Sequence, residues 1–274
     1  MLDGFDPAAV AEIRTRLDRV RQSGVTILFA IESGSRAWGF PSPDSDYDCR
    51  FVYVWPSDAH LVLHVQRDVI EFPIEGEIDA GGWDLRKALL LALKGNAVIH
   101  EWATSPHVYE EVSGFRLALG ALLDHITEPL LVARHYRGML WHHLFSSEDG
   151  DIKLKKLFYA LRPALSLQYM EEHGFRELPP MDMAGLLRGV TIKSDLLSLV
   201  TTMIEAKART REMGTGPVPP LLGEYLNQTL NRHQALVKRP VVSSAKTKER
   251  FALAERFYHR TVLEYGASAR VTAC

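Results

Sequence analysis

The sequence has few cysteines, no long apolar run and little net charge, and each shortage excludes a class of protein. Its two cysteines, Cys49 and Cys274, neither build a disulfide framework nor show the spacing of zinc ligands. No run approaches the roughly 20 apolar residues that span a bilayer, and the amino terminus lacks the features of a signal peptide. A formal net charge of −2 is not that of a strongly basic nucleic-acid-binding domain. We therefore expect a cytoplasmic protein with no membrane partner.

The sequence does contain enough apolar material for a globular core. Of its 274 residues, 46% are hydrophobic and 24% are charged, which suits one large or two modest domains. Strand-like and helix-like segments are mixed up to about residue 125, and the remainder has a helical pattern. The pattern predicts an α+β fold, with a catalytic domain over residues 1–125 and a mainly α-helical domain over residues 126–274.

Hydrophobic periodicity also predicts the individual elements. Val25–Ile31 is a continuous apolar run typical of a buried strand, and Gly81-Gly82 is expected to lead into a helix that starts near Asp84. The predicted strands cover residues 25–31, 47–55, 69–74 and 77–79. The predicted helices cover residues 7–22, 84–93, 97–103, 113–124, 127–144, 151–171, 194–212, 218–234 and 247–265.

The informative segment joins the first two strands, where Gly34-Ser35 ends one strand and Asp46-Tyr47-Asp48 begins the next. A residue without a Cβ lets phosphate oxygens approach backbone N–H groups, and Ser35 can add a hydroxyl hydrogen bond. Residues i and i+2 of a strand point to one face, so Asp46 and Asp48 converge. Two close carboxylates repel unless a cation lies between them, and magnesium is commonly held by carboxylates and substrate phosphates. The segment predicts metal-dependent phosphoryl or nucleotidyl transfer, and the alternative is an acidic, Asx-rich turn.

Gly34-Ser35, a spacer and Asp46-x-Asp48 resemble the signature of the DNA polymerase β-like nucleotidyltransferase superfamily. The longer run Glu-Ser-Gly-Ser-Arg-Ala-Trp-Gly-Phe, followed by Ser-Asp-Tyr-Asp, resembles the YcgL-like, or RNA repair pathway polymerase β, family. Further blocks at 82–89, 101–106 and 155–163 extend the resemblance over about residues 25–190. It implies a polymerase-β-like fold, with a small mixed sheet and flanking helices, and a mechanism that uses two ions of Mg²⁺ or Mn²⁺.

The resemblance also implies roles for the residues of this segment. Asp46 and Asp48 would be catalytic and would bind both metal ions. Gly34 and Ser35 would hold the triphosphate of an NTP substrate. Ser45, the serine that commonly precedes the first aspartate, would also be a nucleotide-binding residue.

A third carboxylate on a later strand would complete the catalytic and metal-binding set. Asp79 is our choice because it follows Glu77-Ile78 within a probable strand and lies just before the glycines that precede the next helix. Glu77, on the same face of that strand, and Asp84 are the alternatives. Asp84 also suits the N-cap of a helix.

Four further residues are candidates for nucleotide binding. Arg36 can contact a phosphate or support the turn in which it lies. Lys155, Tyr159 and Arg162 recur at helical spacing on roughly one face, which favours a nucleotide or polynucleotide contact. The alternative is a structural face on which Tyr159 packs and the cations are solvated.

The acceptor of the transferred nucleotide is left open by the sequence. The family's association with RNA repair favours an RNA end, although no recognisable RNA-binding module is present. A small hydroxylated molecule or a protein hydroxyl is the alternative acceptor. A further alternative is a homologue that binds NTP without turnover. The sequence makes no prediction about the oligomeric state.

Overall fold

The protein is described here by a computed structural model, which covers residue 2 and residues 4–64, 66–145, 152–210, 214–238 and 244–266. The strands are β1 (Thr26–Glu32), β2 (Tyr47–Val54), β3 (Val69–Glu71), β4 (Ile78–Asp84), β5 (Val108–Glu111), β6 (Ile152–Lys153) and β7 (Thr215–Gly216). The helices are α1 (Pro7–Gln22), α2 (Gly34–Ala37), α3 (Leu85–Leu93), α4 (Val98–Thr104), α5 (Phe115–Ile126), α6 (Pro129–Phe145), α7 (Leu154–Glu172), α8 (Met183–Gly189), α9 (Ser194–Arg209), α10 (Pro220–Arg232) and α11 (Ser244–Tyr265).

Five of the strands form one mixed sheet in the order β3-β4-β2-β1-β5. β1 pairs antiparallel with β2 and with β5, and β3 pairs antiparallel with β4, whereas β2 and β4 run parallel. This confirms the α+β class and the small mixed sheet with flanking helices. The parallel pair matters most for function, because it places the first residues of β2 and β4 side by side.

Three groups of buried apolar residues hold the fold together. One packs α1 against one face of the sheet, and a second packs α3, α4, α5 and α11 against the other face. The third lies mainly among α6, α7, α8, α9 and α10. The last helix therefore returns to the sheet, with Ala254 and Phe257 in the second core. The 125/126 boundary remains a proposal, and α11 would have to be grouped with the sheet despite its position in the sequence.

Most predicted elements are confirmed, and the predicted helices lie within three residues of the observed bounds. The glycine pair is the exception, because β4 continues through Gly81 and Gly82 to Asp84. A Cβ on Gly82 would overlap the ring of Phe51, its partner on β2, so this glycine serves close packing within the sheet. The helix does begin as predicted, with the Asp84 carboxylate accepting from the Arg86 N–H at 2.7 Å. None of the helices described is long and apolar enough to cross a membrane.

Candidate active site

Two of the predicted carboxylates meet across the parallel strands. Asp48 of β2 and Asp79 of β4 are direct register partners, and their side chains are 27% and 33% exposed. Asp46 lies just before β2 and is exposed. Asp84 lies five positions beyond Asp79, on the opposite face of β4, where it caps α3. The geometry therefore favours Asp79 over Asp84 as the third carboxylate.

Arg50 lies between the two carboxylates. It is not among the site residues predicted from the sequence. Its Nη2 donates to Asp48 Oδ1 at 3.2 Å and to Asp79 Oδ2 at 2.6 Å. Its Nη1 donates to the backbone carbonyls of Cys49 at 3.1 Å and Asp79 at 3.0 Å. Burial disfavours the charged guanidinium, but the hydrogen bond to Asp79 and the charges of both aspartates raise the pKa of Arg50 overall. Its position was available from the sequence, since residues 48 and 50 share one face of a strand.

Gly34 brings the turn after β1 against Asp48. Its φ of +61° lies in the left-handed region that favours glycine, and a Cβ at this position would overlap Oδ2 of Asp48. Oδ1 of the same carboxylate accepts from Arg50. Asp48 is therefore held between the Gly-Ser turn on one side and Arg50 on the other.

The serines between β1 and β2 form hydrogen bonds with one another. Ser35 Oγ donates to Ser45 Oγ at 2.9 Å, and Ser45 Oγ accepts from the Ser42 N–H at 2.8 Å. Both Ser35 and Ser45 are buried, at 5% and 1% exposure. In the structure they fix the loop that leads to Asp46, and their contact with a triphosphate remains a prediction.

Arg36 supports the same loop from outside. Its Nη2 donates to the Ser45 carbonyl at 2.7 Å and its Nε to the Asp46 carbonyl at 3.2 Å. The guanidinium carbon lies 3.9 Å from the centroid of the Tyr47 ring, within the range of a cation–π contact. These contacts favour the turn-supporting role that the sequence left open beside phosphate binding.

Tyr159 is the candidate on α7 whose pKa responds to the charges of the two aspartates. Burial, followed by the charges of Asp48 and Asp46, raises the pKa of its phenol. Its ring packs edge-on against Trp38, with the centroids 5.6 Å apart. The side chain of Lys155 lies outside the described residues. Tyr159 thus stays a candidate for contact with a bound nucleotide.

Arg162 requires a correction, because it does not face an open site. It is 2% exposed and forms an ion pair with the buried Glu101. Its guanidinium carbon lies 4.5 Å from the centroid of the Trp38 ring. Glu101 also accepts from the Tyr136 hydroxyl at 2.8 Å. Arg162 therefore joins α7 to α4 and supports Trp38 from the interior, a role that helical spacing could not reveal.

Replacing Arg162 with methionine is expected to lower the free energy of unfolding by about 3–5 kcal/mol. Glu101 would remain buried without the guanidinium that compensates its charge. The double variant Glu101→Gln/Arg162→Met should recover more than half of this loss, because it removes both charges. Urea unfolding of the two variants measures the difference. A double variant no more stable than Arg162→Met would contradict the buried ion pair.

Glu32 ends β1 and is fully buried beside the site. Its Oε2 accepts from the Tyr109 hydroxyl at 2.5 Å, and its Oε1 accepts from the backbone N–H of Asp48 at 3.0 Å. Burial, with the charge of Asp48 adding to it, raises the pKa of Glu32 to about 7 although both hydrogen bonds and Arg36 oppose the rise. Glu32 thus holds the backbone from which the Asp48 carboxylate projects.

Replacing Glu32 with glutamine is expected to remove a pH-dependent loss of stability. Because the folded-state pKa of about 7 exceeds the usual 4.5, protonation favours the folded state. This contribution, at most on the order of 3 kcal/mol, is present below about pH 4.5 and is lost as the pH rises through about 7. Glutamine can keep both hydrogen bonds by donating to the Tyr109 hydroxyl and accepting from the Asp48 N–H.

Urea unfolding at about pH 5 and about pH 8 checks this expectation. The glutamine variant should gain stability over the unchanged protein as the pH rises. Glu71→Gln, at an exposed position of β3, is the matched control and should show no such gain. If the free energies of unfolding of Glu32→Gln and the unchanged protein differ by the same amount at both pH values, Glu32 does not bind a proton on folding, and the expectation is contradicted.

The donor set fits a hard divalent cation only if the substrate shares in binding it. Among the described residues, no group of three or more His, Cys, Asp or Glu side chains is arranged to hold a metal ion. Asp48 and Asp79 nonetheless offer two adjacent carboxylates, the first of which packs against Gly34. Magnesium is usually held by one or two carboxylates together with substrate phosphates. The pair therefore fits a cation that is bound with a nucleotide.

A mixed sheet with paired carboxylates beside a Gly-Ser turn is the arrangement that the resemblance to polymerase-β-like nucleotidyltransferases implies. The sequence model of the RNA repair pathway DNA polymerase beta family matches residues 10–259, and the chain belongs to that family. The uncharacterized protein YcgL of Bacillus subtilis (strain 168) is 38% identical over 218 residues, which are 79% of this chain and 83% of that protein. The resemblance found in the sequence is thereby confirmed.

Among solved structures, a nucleotidyltransferase-like protein from Exiguobacterium sibiricum 255-15 is similar over 92% of this chain and 91% of its own. The sequence identity is 11% and the TM-score is 0.32. A likeness at that level carries no weight for the fold or the function. The assignment to the class therefore depends on the family match.

Proposed function

We propose that this protein transfers a nucleoside monophosphate from an NTP to an acceptor hydroxyl. Asp46, Asp48 and Asp79, together with the phosphates of the nucleotide, would hold Mg²⁺ or Mn²⁺. The acceptor hydroxyl loses its proton to solvent and its oxygen forms a bond to the α-phosphorus. The bond from that phosphorus to the bridging oxygen breaks, and pyrophosphate leaves with both electrons of that bond. The observation that carries the proposal is the register of Asp48 with Asp79 beside Gly34.

The residues of the chain serve this reaction mainly by placing charge. Bound divalent cations would lower the pKa of the acceptor hydroxyl and neutralise charge on the departing pyrophosphate. The missing Cβ of Gly34 lets the Asp48 carboxylate pack against the turn, and the hydrogen bond from Ser35 to Ser45 fixes the loop that carries Asp46. Arg36 holds two carbonyls of that loop, so the turn is ordered before a substrate arrives.

An RNA end is the acceptor that we favour, because the family that contains this chain is described by its place in an RNA repair pathway. A small hydroxylated molecule and a protein hydroxyl are the competing acceptors. The hydroxyl chemistry is the same in all three cases, so only the destination of the nucleotide separates them.

Incubation with each α-labelled NTP, Mg²⁺ and total RNA tests the proposal. Label that enters RNA, accompanied by pyrophosphate release and absent from an Asp46→Ala/Asp48→Ala control, would support an RNA nucleotidyltransferase and identify its base. Label on protein alone would replace RNA by a protein acceptor. NTP binding without pyrophosphate release in the presence of RNA, protein and small hydroxylated acceptors would contradict the enzymatic proposal.

A further inference from the structure

The space between Asp48 and Asp79 is occupied by a cation that the protein itself supplies. Nη2 of Arg50 donates to one oxygen of each carboxylate, at 3.2 Å and 2.6 Å. A positive group placed there offsets the repulsion between two neighbouring carboxylates, which is also what a divalent cation would do. The guanidinium and a metal ion that bridges the aspartates would therefore use the same oxygen atoms.

We propose that Arg50 is an internal competitor of the divalent cation, which positions Asp48 and Asp79 in the metal-free protein and must give up its Nη2 bonds when the cation binds. The inference rests on the proposed function, since it concerns the same carboxylates. It makes Arg50 a positioning residue that sets how readily the site accepts a metal.

The remaining contacts of Arg50 explain how its side chain can release the two carboxylates and stay bound to the sheet. Nη1 donates to the backbone carbonyls of Cys49 and Asp79, and neither bond involves a carboxylate. These two bonds can persist after Nη2 is displaced. The carboxylates are 27% and 33% exposed, so a cation can reach them from solvent.

Competition of this kind favours a cation that arrives with a nucleotide. A free ion would have to displace Nη2 with only carboxylates and water as ligands. An ion bound to a triphosphate brings phosphate oxygens as additional ligands and is held by them as well. We therefore expect the protein to bind Mn²⁺ weakly by itself and much more tightly with a nonhydrolysable NTP analogue.

Calorimetric titration of the full-length protein with Mn²⁺ alone, and with the analogue present, tests the inference without any measurement of activity. Arg50→Gln should bind Mn²⁺ alone about tenfold more tightly than the unchanged protein, because a competing positive charge is gone. In EDTA its melting temperature should be lower, and saturating Mn²⁺ should restore it. Arg86→Gln is the control, because it also removes one positive charge, from an exposed side chain. Arg86 lies at the start of α3, beyond the end of β4 that is farther from Asp79.

The outcomes separate this inference from the proposed function. If the unchanged protein binds Mn²⁺ with the analogue but Arg50→Gln binds Mn²⁺ alone no more tightly, Arg50 is only structural and the proposed function stands. If neither protein binds Mn²⁺ under any condition, both ideas fail. Should Arg50→Gln not fold, Arg50→Lys replaces it, with tightening of about threefold expected because a lysine loses the paired guanidinium bonds. Unchanged or weaker binding by Arg50→Lys would then overturn the inference.

Discussion

Asp48→Asn is expected to lower the rate of nucleotidyl transfer by about three orders of magnitude or more, equivalent to about 4 kcal/mol of transition-state stabilisation. Asparagine has nearly the same shape but carries no negative charge for a divalent cation. Asp48 is partly exposed and lies at the start of β2, so the fold should survive. Steady-state rates of pyrophosphate release, with circular dichroism to confirm folding, measure the effect.

Two neighbouring aspartates provide the comparison for this variant. Asp79→Asn should show a similar loss, because Asp79 lies opposite Asp48 in the register of the sheet. Asp84→Ala should keep its activity and lose only about 1 kcal/mol of stability, because Asp84 caps α3. Full activity in Asp79→Asn would remove Asp79 from the site, and loss of activity in a folded Asp84→Ala would reopen the choice of third carboxylate.

Gly34→Ala is the second substitution from which a large effect is expected. A Cβ at this position would overlap the Asp48 carboxylate, which must then leave the position in which it faces Arg50 and Asp79. We expect kcat/KM to fall at least about 100-fold, since a displacement of about 1 Å can cost this much. The positive φ of Gly34 should add about 1–2 kcal/mol of lost stability.

Gly39→Ala separates the two parts of that effect. Gly39 lies in the same loop with a φ of +82°, and nothing lies within 4 Å of a Cβ built there. It should therefore share the backbone strain but keep its activity. If Gly39→Ala loses as much activity as Gly34→Ala, loop strain is responsible and the overlap with Asp48 is not.

The parts of the site that local patterns encode could be predicted from the sequence. The apolar run of β1 and the two-residue period of β2 located Gly34 and Asp48 correctly at the strand ends. The pairing of Asp48 with Asp79 could not be derived in that way, because it depends on two strands being parallel and in one register. The choice of Asp79 came from its place at the end of a probable strand before a helix, and its role as the third carboxylate stays a prediction.

The missed or misassigned features depend on partners far apart in the sequence. Arg162 pairs with Glu101, 61 positions earlier, and no spacing rule connects residues on different helices. The sequence places Gly82 in the lead-in to a helix and not in a strand, because the close packing that requires a glycine there, against the ring of Phe51 on β2, is visible only in the sheet. Arg50 is different, because its two-residue spacing from Asp48 was present in the sequence and was overlooked.

A crystal structure with Mn²⁺ and a nonhydrolysable NTP analogue, with anomalous scattering used to locate the manganese, tests the proposed site most directly. We predict an anomalous peak between Asp48 and Asp79, phosphate oxygens beside Gly34, and Nη2 of Arg50 withdrawn from both carboxylates. A bound nucleotide with no peak at these aspartates, and with Arg50 still bridging them, would contradict their assignment as the metal-binding pair.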